Sequence, residues 1–262
     1  MSSPERRLAI EAARAAGALL RSELTGARQI AFKGTPTNLV TEMDARAEAL
    51  VLGRIRAAFP ADAILSEEMG AAAGDSGRRW IVDPLDGTTN YAHGIPLFGV
   101  SIALEVAGRV ELGVIYDPNQ DELFVAERGA GAFANDRTLA VSRAATLNEN
   151  LLASGFPYNL RETDDNNVTE FVAFSLRAQG IRRMGSAVLY LAWLASGRFD
   201  GYWELRTGPW DVAAGSLLVE EAGGRVTAID GGPLRLDQPS IVASNGRIHD
   251  EMLGVLREIR TR

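Results

Sequence analysis

Between Trp80 and Ala134 the strand signals crowd together, and this limits the fold more than any other feature. Trp80-Ile81-Val82 reads as a buried strand that runs straight into Asp83, and 99–106, 110–116, 122–127 and 131–134 read as further strands. Gly108 and the Asp117-Pro118-Asn119 turn punctuate them. Strands joined by such short turns form a meander, and a meander makes an antiparallel sheet. After about residue 147 the pattern alternates: strand 151–154, helix 167–179, strand 181–184, helix 187–196, strand 199–203, helix 212–223, strands 225–228 and 240–243, and a last helix over 249–260.

Upstream of the meander, Ser3-Pro4-Glu5 supplies a cap, a proline at the first helical position and an acid. Leu8, Ala12, Ala15 and Leu19 then recur at helical spacing, so 4–24 is an amphipathic helix. Gly34 and Pro36 make 32–39 a loop, and Thr41 caps a second helix to 58. A short apolar strand at 63–65 ends in Ser66-Glu67-Glu68, and 69–79 reads as a mobile surface loop. No internal repeat is visible. The expectation is an α+β half over 1–145 and an α/β half over 146–262, joined in one compact catalytic unit.

The side-chain inventory narrows the chemistry. A chain of 262 residues, 46% of them apolar, needs no disulfide or metal staple merely to fold. Cysteine is absent and histidine occurs only at His93 and His249, which excludes thiol catalysis, disulfides and Cys- or His-rich metal cages. Any metal must be held by oxygen, which points to hard cations such as Mg²⁺, Mn²⁺ or Ca²⁺. A formal charge of −7 argues against a nucleic-acid partner. It does not exclude anionic substrates, because a metal reverses the local sign. The longest apolar run, 187–195, is far short of the roughly 20 residues of a membrane span and reads as core. With no signal-peptide core at the N-terminus, the expected location is the cytoplasm.

Three constellations can carry chemistry. Asp83-Pro84-Leu85-Asp86-Gly87-Thr88-Thr89-Asn90 delivers one carboxylate from a strand and returns a second three residues later, so the pair can share divalent cations. Gly87 permits close backbone approach, and the amides of Gly87 and Thr88 can meet phosphate oxygens. A plain capped turn is the bland alternative. Pro209-Trp210-Asp211-Val212-Ala213-Ala214-Gly215 places Asp211 at a helix start, where a simple N-cap is the common explanation. Glu67 and Glu68 end the 63–65 strand, where solvated surface charge is the usual reading. His93 reads as a surface or gating residue and His249 as structural.

Together these motifs resemble the inositol monophosphatase family of metal-dependent, lithium-sensitive phosphatases. The resemblance runs from Lys33 through Leu39–Asp44, Ser66-Glu67-Glu68 and Trp80–Pro96, then through Gly185-Ser186-Ala187, Gly201–Glu204, Pro209–Gly215 and Val242–Asn245. It implies a layered αβαβα sandwich with an antiparallel N-terminal sheet and a mixed C-terminal sheet. It implies Mg²⁺, two or three ions per site, with Mn²⁺ as a substitute. Glu67, Asp83 and the Leu85 carbonyl would hold the first ion, Asp83, Asp86 and Asp211 the second, and Glu67 a third through water. Thr88 would bond the attacking water, oriented by Asp44, with Lys33 balancing charge from the 33–38 loop. Asp86, Gly87, Thr88, Gly185, Ser186, Ala187, Glu204 and Asp211 would line the substrate pocket, with Glu204 accepting from substrate hydroxyls. Asn38 stands where many relatives carry Asp, and Gly208 where some place bulkier groups. A homodimer is also implied.

The expected reaction is hydrolysis of a small phosphorylated polyol, inositol monophosphate first. The same chemistry on histidinol phosphate, fructose 1,6-bisphosphate or 3′-phosphoadenosine 5′-phosphate is the alternative. A weakly active member that binds a protein partner is a reading from another class. Four carboxylates around two dications suit a phosphate dianion and need no protein nucleophile.

Overall fold

The computed structural model describes residues 3–26, 30–32, 39–237 and 239–260. The Ser3 hydroxyl accepts from the Arg6 amide at 3.1 Å, and Pro4 begins α1 (Pro4–Glu23). β1 (Ile30–Phe32) and β2 (Leu39–Thr41) form an antiparallel pair, after which Thr41 caps α2 (Glu42–Ala58). Then come β3 (Ala63–Ser66), β4 (Gly70–Ala72), β5 (Arg78–Asp86) and the five-residue α3 (Thr88–Ala92). The meander follows as β6 (Gly99–Val106), β7 (Arg109–Asp117), β8 (Glu122–Glu127), β9 (Gly131–Ala134) and β10 (Arg137–Thr138). The rest alternates: β11 (Leu151–Ser154), α4 (Val168–Ser175), β12 (Gly180–Arg182), α5 (Ala187–Ala195), β13 (Gly201–Glu204), α6 (Pro209–Glu221), β14 (Arg225–Ala228), β15 (Ile241–Ser244) and α7 (His249–Arg260).

The first sheet has eight strands in the order β10-β9-β8-β7-β6-β5-β3-β4. The meander supplies its antiparallel part, as the sequence predicts. One pair differs: β3 and β5 run parallel, with Ile64 opposite Trp80. The cause is β4, which folds back on the outer edge of β3 and returns the chain across β3 to the place of β5. β4 lies inside the stretch expected to be a loop. Its residues, Gly70, Ala71 and Ala72, carry no strand preference of their own, and the pairing to β3 makes the strand. The second sheet, β12-β11-β13-β15-β14, is parallel on one side of β13 and antiparallel on the other, hence mixed.

Three cores stack these sheets into an αβαβα sandwich. α1 and α2 bury Ala12, Ala16 and Val51 against Trp80, Val100 and Ile102 of the first sheet. α5 and α6 lie between the sheets, with Leu191 and Leu217 among Phe124, Ile115 and Tyr202. α4 and α7 cover the far face of the second sheet with Phe174 and Leu256 against Trp203. α5 is apolar on nearly all sides because it is covered on nearly all sides. Backbones approach closely in this middle layer: a Cβ on Gly113 would stand 2.7 Å from the Ala214 carbonyl oxygen of α6. β3 and β5 therefore end beside the N-termini of α5 and α6.

Candidate active site

Strict alternation along β5 would send Asp83 and Asp86 to opposite faces of the sheet. A register shift prevents it: Asp83 pairs with Ser101 and Asp86 with Gly99, so β5 spends one residue more than β6. Both carboxylates then enter one cavity. Leu85 N donates to Asp83 Oδ1 at 3.0 Å. Gly87, at φ 96°, turns the chain into α3, and a Cβ there would come within 3.0 Å of the Leu97 carbonyl oxygen. Thr88 follows, its Oγ1 within 3.0 Å of Asp44 Oδ1 and 3.1 Å of the Leu85 carbonyl oxygen. Asp44 is fully buried, and its Oδ2 accepts from both Thr41 N (2.8 Å) and Thr41 Oγ1 (2.7 Å). The capping box that starts α2 thus aims Oδ1 at Thr88.

The C-terminal half closes the site with helix N-termini. Asp211 Oδ2 accepts from Gly208 N at 2.6 Å at the start of α6. The Ser186 hydroxyl and Val188 N (3.0 Å) donate to Asp86 Oδ2, so a residue of the first sheet caps α5. One carboxylate oxygen from each of Asp83, Asp86 and Asp211 lies within 4.8 Å of the other two. These acids share a cavity of about 460 Å³ with Glu67, Leu85, Gly87, Thr88, Gly185, Ser186, Ala187 and Glu204. Glu67 follows β3, its amide donating to the Val82 carbonyl at 3.2 Å. Glu204, at the end of β13, accepts from Tyr202 OH at 2.8 Å. It packs so tightly on Gly155 that a Cβ there would fall 2.1 Å from Glu204 Oε2.

Electrostatics explain what such a site requires. Burial, then Glu67, Asp86 and Asp211, push the Asp83 carboxyl well above the usual carboxylate range. Burial raises Asp86 to about 6, despite hydrogen bonds from Ser186 and three backbone amides that favour its charged form. Asp211 rises well above its ordinary value through burial and the charges of Asp86, Glu67 and Glu204. Burial lifts Glu204 to about 7. Among the described residues no Arg or Lys is ion-paired with Asp83, Asp86 or Asp211. Crowded, uncompensated, oxygen-only donors fit a hard divalent cation.

All the sequence-predicted site residues that the structure describes therefore meet here, Asp44 through Thr88. Lys33 and Asn38, and with them the 33–38 loop, lie outside the described residues. His93 is exposed at the end of α3, and His249 is fully buried in the second sheet's core. Sequence reasoning missed Tyr158, Arg183 and Arg206, which also line the cavity. The Tyr158 ring is half exposed, but desolvation of its hydroxyl at the cavity and the four carboxylates push that hydroxyl above its ordinary value. All three sit in irregular segments, where no periodicity marks a side chain as inward.

This layered fold and its acid-lined cavity are those of a phosphomonoester hydrolase, as the relatives bear out. The Inositol-1-monophosphatase of Mesorhizobium japonicum is 46% identical over 231 residues, 88% of this chain and 86% of its own length. The Nus factor SuhB of Escherichia coli is 41% identical over 258 residues, 97% of this chain and 96% of its own. The structure of an inositol monophosphatase from Anabaena superposes with a TM-score of 0.88 at 47% identity, covering 97% of this chain and 95% of that one. The inositol monophosphatase family matches residues 1–261, and the chain belongs to that family.

Proposed function

We propose that this chain hydrolyses inositol monophosphate or a closely similar polyol phosphate, using Mg²⁺ held by Glu67, Asp83, the Leu85 carbonyl, Asp86 and Asp211. The observation that carries the reading is the trio Asp83, Asp86 and Asp211, each with an oxygen within 4.8 Å of the others and with no cationic partner among the described residues. Two or three ions per site, with Mn²⁺ able to replace Mg²⁺, belong to the same reading. Bound cations would supply the charge that draws in the phosphate and steadies the attacking and leaving oxygens.

The remaining steps belong to the chain. Asp44 Oδ2 accepts from Thr41, and Oδ1 accepts the Thr88 proton. With that proton turned to Asp44, Thr88 Oγ1 offers a lone pair to a water in the cavity. As the water oxygen adds to phosphorus, its proton passes to Thr88 Oγ1 while the Thr88 proton passes to Asp44 Oδ1; the bond to the alcohol oxygen breaks, and the alcohol leaves with a proton taken from solvent water. Thr88 and Asp44 thus act as one unit of general-base catalysis. Gly87 and Thr88 line the phosphate side of the pocket, and Gly185, Ser186 and Ala187 form the wall at the α5 N-terminus. Glu204 accepts from hydroxyls of the alcohol. It would repel a second phosphate, which favours a polyol monophosphate over a bisphosphate. Lys33, the only lysine in the chain, is assigned to charge balance from the 33–38 segment.

The proposal treats 1–145 and 146–262 as two halves of one catalytic unit, with Asp211 and Glu204 contributed by the second. It includes a cytoplasmic homodimer and inhibition by Li⁺. A member that only binds a protein partner has no use for a dry Thr88–Asp44 pair beside three converging carboxylates. The test is phosphate release from inositol monophosphate with millimolar Mg²⁺, with and without EDTA, beside a panel of other phosphate esters. Release that depends on Mg²⁺ and is fastest for the inositol ester supports the reading. Full turnover in excess EDTA overturns it.

A further inference from the structure

α2 carries a second acid toward the site, and the mechanism above does not use it. Glu48 lies four residues after Asp44, hence on the same side of the helix and about one turn further along. Where Asp44 reaches Thr88, Glu48 reaches the other wall of the cavity. Its Oε1 accepts from Ser66 Oγ at 2.5 Å and from Met69 N at 2.9 Å. Those two donors bracket Glu67 and Glu68. Ser66 is fully buried at the end of β3, and the Glu67 amide is bonded to Val82 of β5. The turn that presents Glu67 is thus pinned by β5 on one side and by the Glu48 carboxylate on the other. α2 itself is anchored by buried Ala47, Val51 and Ile55, so it forms a stiff base. Hydrogen bonds to a carboxylate are about twice as strong as neutral ones, so a single oxygen can hold the turn.

We infer that Glu48 is a positioning residue: through Ser66 and Met69 it fixes the Glu67 turn, so that one face of α2 aligns both walls of the site. The inference rests on the proposed role of Glu67 as a cation-holding residue. Supporting groups behind a ligand typically change metal affinity by about 10–100-fold when removed.

Mn²⁺ binding to the substrate-free protein, read by electron paramagnetic resonance, tests it alongside the melting temperature without metal. Glu48→Ala should weaken Mn²⁺ binding roughly tenfold. Glu48→Gln should rescue it to within about threefold, because the amide Oε1 can still accept both bonds. Ser66→Ala should weaken binding less than Glu48→Ala, and it covers the case in which Glu48→Ala does not fold. In a Glu67→Ala background, adding Glu48→Ala should change Mn²⁺ binding no further. If Glu67→Ala weakens binding while Glu48→Ala and Ser66→Ala leave it intact, the role of Glu48 is overturned and that of Glu67 stands. An equal further loss from Glu48→Ala in the Glu67→Ala background also overturns it. If Glu67→Ala itself leaves Mn²⁺ binding unchanged, the underlying reading of Glu67 fails and takes this inference with it.

Discussion

The two ends of the cavity are built differently. At the Thr88 end, every oxygen of Asp44 has a stated partner, and the pair is buried beneath α2 and β5. At the Glu204 end, the carboxylate takes one hydrogen bond from Tyr202, rests on the bare backbone of Gly155, and is lifted to about 7 by burial. The first arrangement leaves a side chain one orientation and one task. The second leaves lone pairs free for a guest. Chemistry common to any phosphate ester belongs at the first end, and discrimination among alcohols at the second.

The largest expected effect breaks the Thr88 end. Asp44→Asn can keep the helix cap, because its carbonyl oxygen can take the two Thr41 donors. Its amide nitrogen then faces Thr88, where an acceptor is needed. kcat should fall about 10²–10⁴-fold with KM and the Mg²⁺ dependence nearly unchanged. Thr88→Ala should do likewise, and the double variant should be little worse than either single. Losses that multiply would show that the two do not work as a pair.

The next effect sharpens the Glu204 end. Glu204→Gln keeps the shape and removes the charge. Hydrogen bonds to a charged group contribute about 1.5–3 kcal/mol, so kcat/KM for inositol monophosphate should drop about 10–100-fold. p-Nitrophenyl phosphate has no polyol hydroxyls to offer, so its kcat/KM should barely move. Equal losses on both esters would mean that Glu204 supports the site rather than reads the alcohol.

The same contrast explains how much could be read before the structure. Asp83, Asp86 and Asp211 stand in short motifs whose spacing encodes the turn or helix start that presents them. The register shift that turns Asp83 and Asp86 to one side is a property of the pairing with β6, and no residue type announces it. Asp44 and Thr88 are 44 positions apart, and only the resemblance to a family joined them. Glu48 and Met69 are joined by a side chain-to-backbone bond across two elements, which leaves no pattern in either. β4 and α3 escaped because three and five residues are too few for a period to show. The five strands of the second half were visible in their short apolar runs, and α5 and α6 in apolar runs covered on nearly all sides; α4 was visible with shifted ends, spanning 168–175 rather than 167–179.

A third effect concerns stability without metal. Asp86 at about 6 and Glu204 at about 7 both lie above their unfolded values. Groups raised in this way contribute stability that is full below the unfolded values and lost as pH rises through 6 to 7. The metal-free protein should therefore melt lower at pH 8 than at pH 5.5, by several degrees. Saturating Mg²⁺ should raise the pH 8 value most, because it favours the charged forms that the empty cavity penalises. A melting temperature that rises from pH 5.5 to 8 without metal would contradict the crowding of acids described here.

The smallest effect lies away from the cavity and runs in the opposite direction. His249 is buried between Thr227 Oγ1, 3.0 Å from Nε2, and Ser244 Oγ, 2.9 Å from Nδ1. Thr227 gives its proton to the Ala228 carbonyl, so Oγ1 accepts from an Nε2–H. Ser244 Oγ accepts from Gly246 N and has its own proton for Nδ1. Both bonds are met by the neutral ring. Burial, with Arg225 nearby, accordingly lowers the His249 pKa to about 4. A lowered histidine contributes stability that is present above the unfolded value near 6.5 and lost as pH falls from there through 4. The full contribution is about 3 kcal/mol, since each pKa unit corresponds to about 1.4 kcal/mol. Without metal this loss should blunt, but not reverse, the gain from the cavity acids. With saturating Mg²⁺ at pH 6 and above, where the acids are held charged, it should be the main slope left. His249→Gln can keep one donor and one acceptor at the site. It should flatten the slope between pH 6.5 and 5 without altering kcat at pH 7.5. An unchanged slope would place the acid sensitivity elsewhere in the second sheet.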